Sequence, residues 1–127
     1  MMLLDTHVYY WFICGDNHLP NSIKDQIEEE EHVFISAATF WEMAIKASIG
    51  KIKLPASVST LMKDCEACQF KILPVLGSHL DHLETLPWIH RDPFDRLLIC
   101  QAQAENLTLV TKDENIWKYN VKTLWRN

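Results

Sequence analysis

Short apolar runs alternate along the chain with longer segments in which apolar residues recur at helical spacing. Five runs predict strands, at residues 2–5, 33–36, 70–75, 107–111 and 121–125. A short apolar run bounded by polar residues is typical of a strand that is buried in a parallel sheet. Because helical segments separate these strands, right-handed crossovers should place helices on both faces of the sheet. The pattern therefore predicts an α/β fold.

Helix starts and stops are also marked in the sequence. Helices are predicted at residues 6–14, 22–31, 39–48, 57–68, 78–86 and 93–104. The sixth has the clearest start, because Asp92 is a favoured N-cap residue and Pro93 suits the first helical position. Thr39 and Glu42 have the spacing of a capping box, which predicts that the third helix begins there.

Composition narrows the class of protein. The chain has 127 residues, of which 48% are hydrophobic, and this suits a single domain over residues 1–127 with one core. No apolar stretch has the length of a membrane span, and no basic segment precedes an apolar one, so a soluble cytoplasmic protein is expected. The formal net charge of −5 argues against a protein that coats nucleic acid with a basic surface.

Four acids that are far apart in the sequence should meet at one edge of the sheet. Asp5 ends the first strand, and Asp113 follows the fourth strand by a few residues. Glu42 and Asp95 lie in the predicted first turns of helices, and crossover helices begin near the carboxyl ends of strands. In open α/β sheets this edge is where ligands bind.

Carboxylates at such close range repel one another, so they raise each other's pKa or require a cation. Oxygen ligands without paired cysteine or histidine suit Mg²⁺ or Mn²⁺. Divalent ions held by carboxylates activate water and neutralise charge at a phosphodiester. The four acids therefore predict a centre of one or two such ions that acts on phosphodiester bonds.

The ordered motifs around these acids carry a family resemblance. The motifs are residues 3–7, 35–42, 91–99 and 109–113. In this order and at this spacing they strongly resemble the PIN-domain ribonucleases, and most closely the toxin half of VapBC-type bacterial toxin–antitoxin pairs. The resemblance covers essentially the whole chain. It implies a three-layer α/β/α fold whose central parallel sheet has the order 3-2-1-4-5, with the first strand in the middle.

The resemblance also implies a role for each matched residue. The metal-binding acids fall on Asp5, Glu42, Asp95 and Asp113. The supporting hydroxyl groups fall on Thr6, Ser36 and Thr111. His7 takes a position that is held by Asn or His in relatives, where it supports the ligands. Glu114 is a second candidate for the fourth acid.

Activity and partners are implied in the same way. Proteins of this family cleave RNA in a metal-dependent reaction in which water attacks the phosphorus in line. The products carry a 5′-phosphate and a 3′-hydroxyl, and no protein nucleophile is required. The resemblance further implies a toxin that arrests translation, forms a homodimer and is silenced by a small antitoxin protein. The expected partners are an RNA substrate and these proteins, with no membrane.

Simpler explanations compete at single positions. Glu42 could close its capping box, Asp95 could lie in a first turn because the helix dipole favours acids there, and Asp113 could cap a turn. Asp5 has no such explanation, since an unpaired acid at the end of a buried strand is costly. Jointly, and in this order, the four acids favour the metal site.

Other residues are candidates for contacts with substrate or partners. Lys46 and Arg96 could contact phosphates, although a solvated helix face explains them equally well, and Asp92 is better explained as a cap than as a ligand. The successive aromatic residues 10–12 cannot all face one way, so an exposed patch for a second copy or the antitoxin is predicted. Trp88 is a candidate for lining the groove.

A zinc site is disfavoured. Cys65 and Cys68 precede His79 and His82, but the histidine spacing is too short for a zinc finger and a strand lies between the pairs. All four cysteines are expected to be buried free thiols, and these two histidines are expected at the surface.

Three other functions compete with the nuclease. A catalytically idle PIN-like module that binds RNA or protein is the main alternative, and the presence of all four acids disfavours it. A phosphatase with an aspartyl nucleophile would need a second Asp where His7 stands. A receiver domain would need a pair of adjacent acids near Asp5, which the sequence does not provide.

Overall fold

Five short strands form one parallel sheet in a computed structural model that describes residues 1–125. In chain order the strands are β1 Met2–Leu4, β2 Val33–Ser36, β3 Lys71–Leu73, β4 Thr108–Val110 and β5 Thr123–Leu124. Their order across the sheet is 3-2-1-4-5, and every neighbouring pair is parallel. The predicted α/β fold and strand order are confirmed.

Seven helices connect and cover the strands over residues 1–125. They are α1 Thr6–Cys14, α2 Asn21–Glu29, α3 Ala37–Ser48, α4 Val58–Ala67, α5 Gly77–Thr85, α6 Pro93–Glu105 and α7 Glu114–Trp117. The sequence did not predict α7, because four residues are too few to show helical periodicity. Within the described part of the chain, no helix combines the length and apolar character that a membrane crossing requires.

Two apolar clusters pack against the two faces of the sheet. Successive residues of a strand point to opposite faces, so Leu4 joins one cluster and Leu3 the other. The first cluster includes Ile23 of α2, and the second includes Ile99 of α6. Each fully buried leucine of β1 stabilises the fold by roughly 2 kcal/mol. Because β1 is the central strand, it delivers Asp5 to the middle of the carboxyl edge.

The start of α3 differs from the prediction. The helix begins at Ala37, directly after β2, and its N-cap is Ser36, whose hydroxyl accepts the Ala38 N–H at 3.1 Å. The capping box of Thr39 and Glu42 is therefore wrong, because the strand leads into the helix without a loop. Glu42 lies in the second turn instead of the first.

The surface also differs from the prediction. Cys65 and Cys100 are buried free thiols, but Cys14 and Cys68 are exposed because they lie at the ends of α1 and α4. The expectation of four buried thiols is therefore wrong for half of them. Residues 10–12 are half-buried, and Trp11 and Phe12 pack against the first cluster, so the expected exposed patch is wrong as well.

His79 is fully buried, contrary to its expected place at the surface. Its Nδ1 accepts the Leu76 N–H at 3.0 Å, and its Nε2 lies 2.7 Å from Oε2 of Glu105. These contacts tie α5 to α6. The ring therefore has a structural role, because it links these two helices.

Candidate metal centre

Asp5 follows the last residue of β1 and is nearly buried, with 4% of its surface exposed. It is also the N-cap of α1, because its Oδ1 accepts the Val8 N–H at 2.8 Å. The expectation that Asp5 has no capping role is therefore wrong. Burial raises the pKa of the Asp5 carboxyl group, and the Thr111 hydroxyl and the Val8 N–H oppose this rise.

Glu42 is buried and held by two donors. Its Oε1 accepts a hydrogen bond of 2.6 Å from the Thr6 hydroxyl, which also lies 3.2 Å from the Thr39 hydroxyl. Its Oε2 lies 2.8 Å from Nζ of Lys46, one turn further along α3. The chain therefore supplies a cation of its own to Glu42, and the expected phosphate contact of Lys46 is replaced by this ion pair.

Asp95 lies in the first turn of α6 among other acids. Burial, followed in decreasing order by the charges of Asp92, Asp5, Glu42 and Asp113, raises its pKa to about 8. Asp92 caps α6 as predicted, because its Oδ1 accepts the N–H groups of Phe94 at 2.8 Å and Asp95 at 3.2 Å. The Asp95 carboxylate is therefore the strained member of the group.

Asp113 is the N-cap of α7. Its Oδ1 accepts the Asn115 N–H at 2.8 Å, and its own N–H donates to the Thr111 hydroxyl at 3.0 Å. Glu114, the second candidate for the fourth acid, is exposed in the first turn of α7. Asp113 is the acid whose charge acts on both Asp5 and Asp95.

A shallow cleft opens at this edge of the sheet. Its volume is about 380 Å³, and its lining includes Asp5, His7, Asp95, Lys112, Asp113 and Glu114. His7 is exposed at the cleft, with its ring 5.7 Å from the ring of Trp11. Lys112, which sequence reasoning missed, brings an exposed positive charge to the same cleft.

His90 is a second residue that sequence reasoning missed. Its Nε2 lies 2.7 Å from Oδ2 of Asp113 and 3.2 Å from Oδ2 of Asp95. One ligand atom from each of these three residues lies within 4.8 Å of the other two, so the three form a candidate metal-binding group. The sequence shows a histidine two residues before the Asp92 cap, but its contacts depend on the shape of the loop between α5 and α6.

Arg96 shapes that loop. Its side chain is buried, and its guanidinium donates to the carbonyl oxygens of Leu86 at 3.1 Å, Pro87 at 2.8 Å and His90 at 3.3 Å. The indole ring of Trp88 covers the guanidinium at 3.7 Å. The expectation that Arg96 contacts phosphates or lies on a solvated helix face is therefore wrong, because its donors are used by the loop.

Comparison with known proteins agrees with this geometry. The PIN domain sequence profile matches residues 2–122. The chain belongs to the PIN domain family. This PIN domain is 28% identical to Ribonuclease VapC22 of Mycobacterium tuberculosis over 116 residues, which is 91% of this chain and 88% of the relative.

Solved structures share the fold of this PIN domain. FitAcB from Neisseria gonorrhoeae has a TM-score of 0.69 at 18% identity, with 98% of this chain and 96% of that chain covered. VapBC2 from Rickettsia felis, bound to a DNA fragment from its promoter, also has a TM-score of 0.69 at 18% identity, with 97% and 96% covered. The resemblance to the PIN domain that the sequence motifs carry is thus confirmed.

The acids of this PIN domain fit a divalent cation. The half-buried Asp95 carboxyl group lies among four other acids, and burial and their charges raise its pKa to about 8, as expected where negative charge is not fully compensated by the chain. A cation among these oxygens removes that cost. Carboxylate oxygens are hard ligands, and the candidate group of His90, Asp95 and Asp113 adds a nitrogen that is compatible with a transition metal.

Proposed function

We propose that this PIN domain is a metal-dependent endoribonuclease and the toxin of a toxin–antitoxin pair. The observation that supports the proposal most strongly is Asp95, a half-buried carboxyl group among four other acids with its pKa raised to about 8. Such an arrangement costs stability and has no structural benefit of its own, so it indicates a functional site. RNA is the proposed substrate because the VapC22 relative is named a ribonuclease.

The proposed ions are one or two Mg²⁺ or Mn²⁺, held by Asp5, Glu42, Asp95 and Asp113. When bound, such an ion lowers the pKa of water and offsets negative charge at the phosphodiester. The side chains have separate tasks. Thr6 and Lys46 fix both oxygens of Glu42, and Thr111 fixes the backbone at Asp113.

Substrate would enter through the cleft beside Asp5 and Asp95. Lys112, an exposed cation in the lining, is placed to meet a backbone phosphate, whereas Arg96 is buried and Lys46 is paired. His7 and the exposed Glu114 complete the rim. In this proposal no side chain of the cleft is required as a nucleophile.

The proposed protein partners are a small antitoxin and a second copy of the chain. A solved toxin–antitoxin complex from Klebsiella pneumoniae supports an antitoxin partner, because it shares the fold over 98% of this chain with a TM-score of 0.68 at 16% identity. Trp41 and Trp88 are 64% and 77% exposed and offer aromatic surface for such contacts. Trp41 is next to Glu42 in the sequence, and Trp88 lies in the loop before α6. The proposed location is the cytoplasm.

Cleavage of RNA by the purified chain, freed of any partner, tests the proposal. Cleavage should require Mn²⁺ or Mg²⁺ and should stop with EDTA. The Asp5→Asn variant should lose cleavage and keep its fold, because Asn caps a helix about as well as Asp. The exposed Asp81 on α5 provides the matched control, and Asp81→Asn should cleave normally.

Two results would contradict the proposal. Unchanged cleavage by Asp5→Asn would remove the site assignment. A wild-type protein that binds a partner tightly but cuts no RNA with either ion would instead be the catalytically idle binding module.

A further inference from the structure

His90 makes hydrogen bonds through both ring nitrogens. One nitrogen faces a backbone N–H donor, and the other faces a carboxylate oxygen. Its Nδ1 lies 3.1 Å from the backbone N of Asp92, and its Nε2 faces the Oδ2 atoms of Asp95 and Asp113. The ring is half-buried, with 12% of the side chain exposed. Its position is therefore set by contacts within the site.

The contact with Asp92 decides which nitrogen carries the proton. A backbone N–H can only donate, so Nδ1 must accept with its lone pair. The ring proton is thereby assigned to Nε2, which forms a hydrogen bond of 2.7 Å with Oδ2 of Asp113. Oδ2 of Asp95 lies 3.2 Å from the same nitrogen.

This assignment separates two roles that the position alone would allow. A metal ligand needs a lone pair on Nε2, and a donor to the acids needs a hydrogen there. Freeing the lone pair would move the proton to Nδ1, where it would face the Asp92 N–H. The hydrogen bond from the Asp92 N–H would then be lost. This bond helps to hold the loop that leads into α6, whose N-cap is Asp92.

We infer that His90 is a positioning residue of the metal centre, which donates through Nε2–H to Oδ2 of Asp113, keeps this oxygen beside Oδ2 of Asp95 and gives no nitrogen to the ion. The inference rests on the proposed function, because it concerns the same ion. Asp113 is then fixed on both sides, with Oδ1 on the Asn115 N–H and Oδ2 on His90. His90 acts through these acids, as residues behind metal ligands commonly do.

His79 provides a matched comparison inside the same chain. It too accepts a backbone N–H with Nδ1 and meets a carboxylate with Nε2, at 2.7 Å from Glu105. It links two helices and belongs to no group of acids. A variant of His79 therefore changes the same kind of hydrogen bonding without touching the proposed centre.

The tautomer is measurable without any metal or RNA. Nitrogen-15 NMR of the histidine rings in EDTA should show the His90 ring proton on Nε2 and a lone pair on Nδ1, with resonances assigned through the loss of one ring signal in His90→Gln. A ring with its proton on Nδ1, or with a free Nε2 lone pair, would overturn the inference.

Metal affinity provides the second measurement, by calorimetry with Mn²⁺. His90→Ala should weaken binding by about tenfold to a hundredfold, the range typical of residues behind metal ligands. His90→Gln should retain most of the affinity, because its amide N–H₂ can replace the Nε2–H donor. His79→Gln and the exposed His82→Ala should leave affinity unchanged.

Electron spin-echo spectroscopy of bound Mn²⁺ distinguishes the two roles directly. The wild-type protein should show no nitrogen bonded to the ion. A bonded nitrogen that disappears in His90→Gln would make His90 a ligand and overturn the inference. Equal affinities of His90→Ala and the wild type would overturn it as well.

Failure of the inference can be told apart from failure of the proposed function. If Asp95→Asn abolishes Mn²⁺ binding while His90→Ala does not change it, the metal centre stands and the role of His90 falls. If neither the wild type nor any variant binds Mn²⁺, the proposed centre itself falls.

Discussion

The two sides of the acid centre are compensated in different ways. On the side of α3, Glu42 has a hydroxyl donor at 2.6 Å and the Lys46 cation at 2.8 Å. On the side of α6 and α7, His90 forms a hydrogen bond with Asp113 and lies 3.2 Å from Asp95, and the pKa of Asp95 is raised to about 8. The negative charge on the α3 side is thus neutralised by the chain itself. On the other side, negative charge remains that an external cation can neutralise.

This difference has a physical lesson. The charge of a buried carboxylate is largely neutralised when a fixed cation lies beside it, so a second cation stabilises it little. A buried carboxylate among acids gains a great deal, because the cation removes repulsion from several neighbours at once. The driving force for metal binding should therefore be concentrated at Asp95, while Glu42 supplies a preset oxygen.

The largest expected effect concerns Asp95 and activity. Asp95→Asn should lower RNA cleavage by at least about 10²-fold, a loss typical of removing one electrostatic contributor to a reaction centre. Single-turnover cleavage in saturating Mn²⁺ measures it. Near-normal cleavage by this variant would show that the uncompensated negative charge at Asp95 has no part in the reaction.

The pH dependence of the metal-free fold tests the same uncompensated charge. The pKa of Asp95 is 3.8 in its ordinary state and about 8 in the folded protein, so the folded state holds this proton more tightly than the unfolded chain. Stability is therefore full below the lower value and is lost as the pH rises through the higher one. The raised pKa of Asp5 acts in the same direction.

In EDTA, the Tm of the wild type should fall between about pH 5 and about pH 8.5, and that of Asp95→Asn should fall much less. At the higher pH the variant should be the more stable by roughly 5 °C or more. The charged and titratable groups around Asp95 are intact in both proteins: Asp92, Asp5, Glu42, Asp113 and His90. Identical pH profiles would contradict the raised pKa.

On the α3 side, removal of a charged group should lower the stability of the fold instead of raising it. Lys46→Met leaves Glu42 buried without its cation, and it should lower the free energy of unfolding by about 2 kcal/mol at neutral pH. Urea denaturation measures this loss. Lys63→Met, on the exposed face of α4, is the control and should change little. A Glu42→Gln, Lys46→Met double variant should recover much of the loss, because it removes the stranded charge.

The smallest effect is expected at Thr6. Thr6→Val keeps the shape of the side chain and removes the hydroxyl that donates to Glu42 at 2.6 Å. The free energy of unfolding should fall by about 1 kcal/mol. Thr6→Ser keeps the donor and should restore stability. If Val and Ser behave alike, the hydroxyl does not hold Glu42.

The sequence predicted the sheet and the place of its acids because both follow from topology. Alternating strands and helices determine that Asp5, Asp95 and Asp113 lie at one edge, whatever the loops do. Capping details depend on single turns, and they were predicted correctly at Asp92 but not at Ser36, where the strand enters the helix directly.

The contacts of His90 and Arg96 were not predictable, because they belong to the conformation of one loop. Arg96 reaches back to carbonyl oxygens up to ten residues earlier, and no periodicity marks such a contact. Tyr119, far along the chain, accepts the N–H groups of Ile89 and His90 at 3.0 and 2.7 Å. Tertiary packing thus decides where the histidine lies, and the sequence records only its presence.

The double duty of the aspartates at the helix starts has an evolutionary consequence. Asp5, Asp92 and Asp113 each cap a helix, and asparagine serves as an N-cap about as well. A single base change in an aspartate codon yields asparagine. At these positions the chain can therefore lose negative charge and keep its architecture, which provides a short mutational route from a nuclease to a folded protein that binds the same partners without cutting.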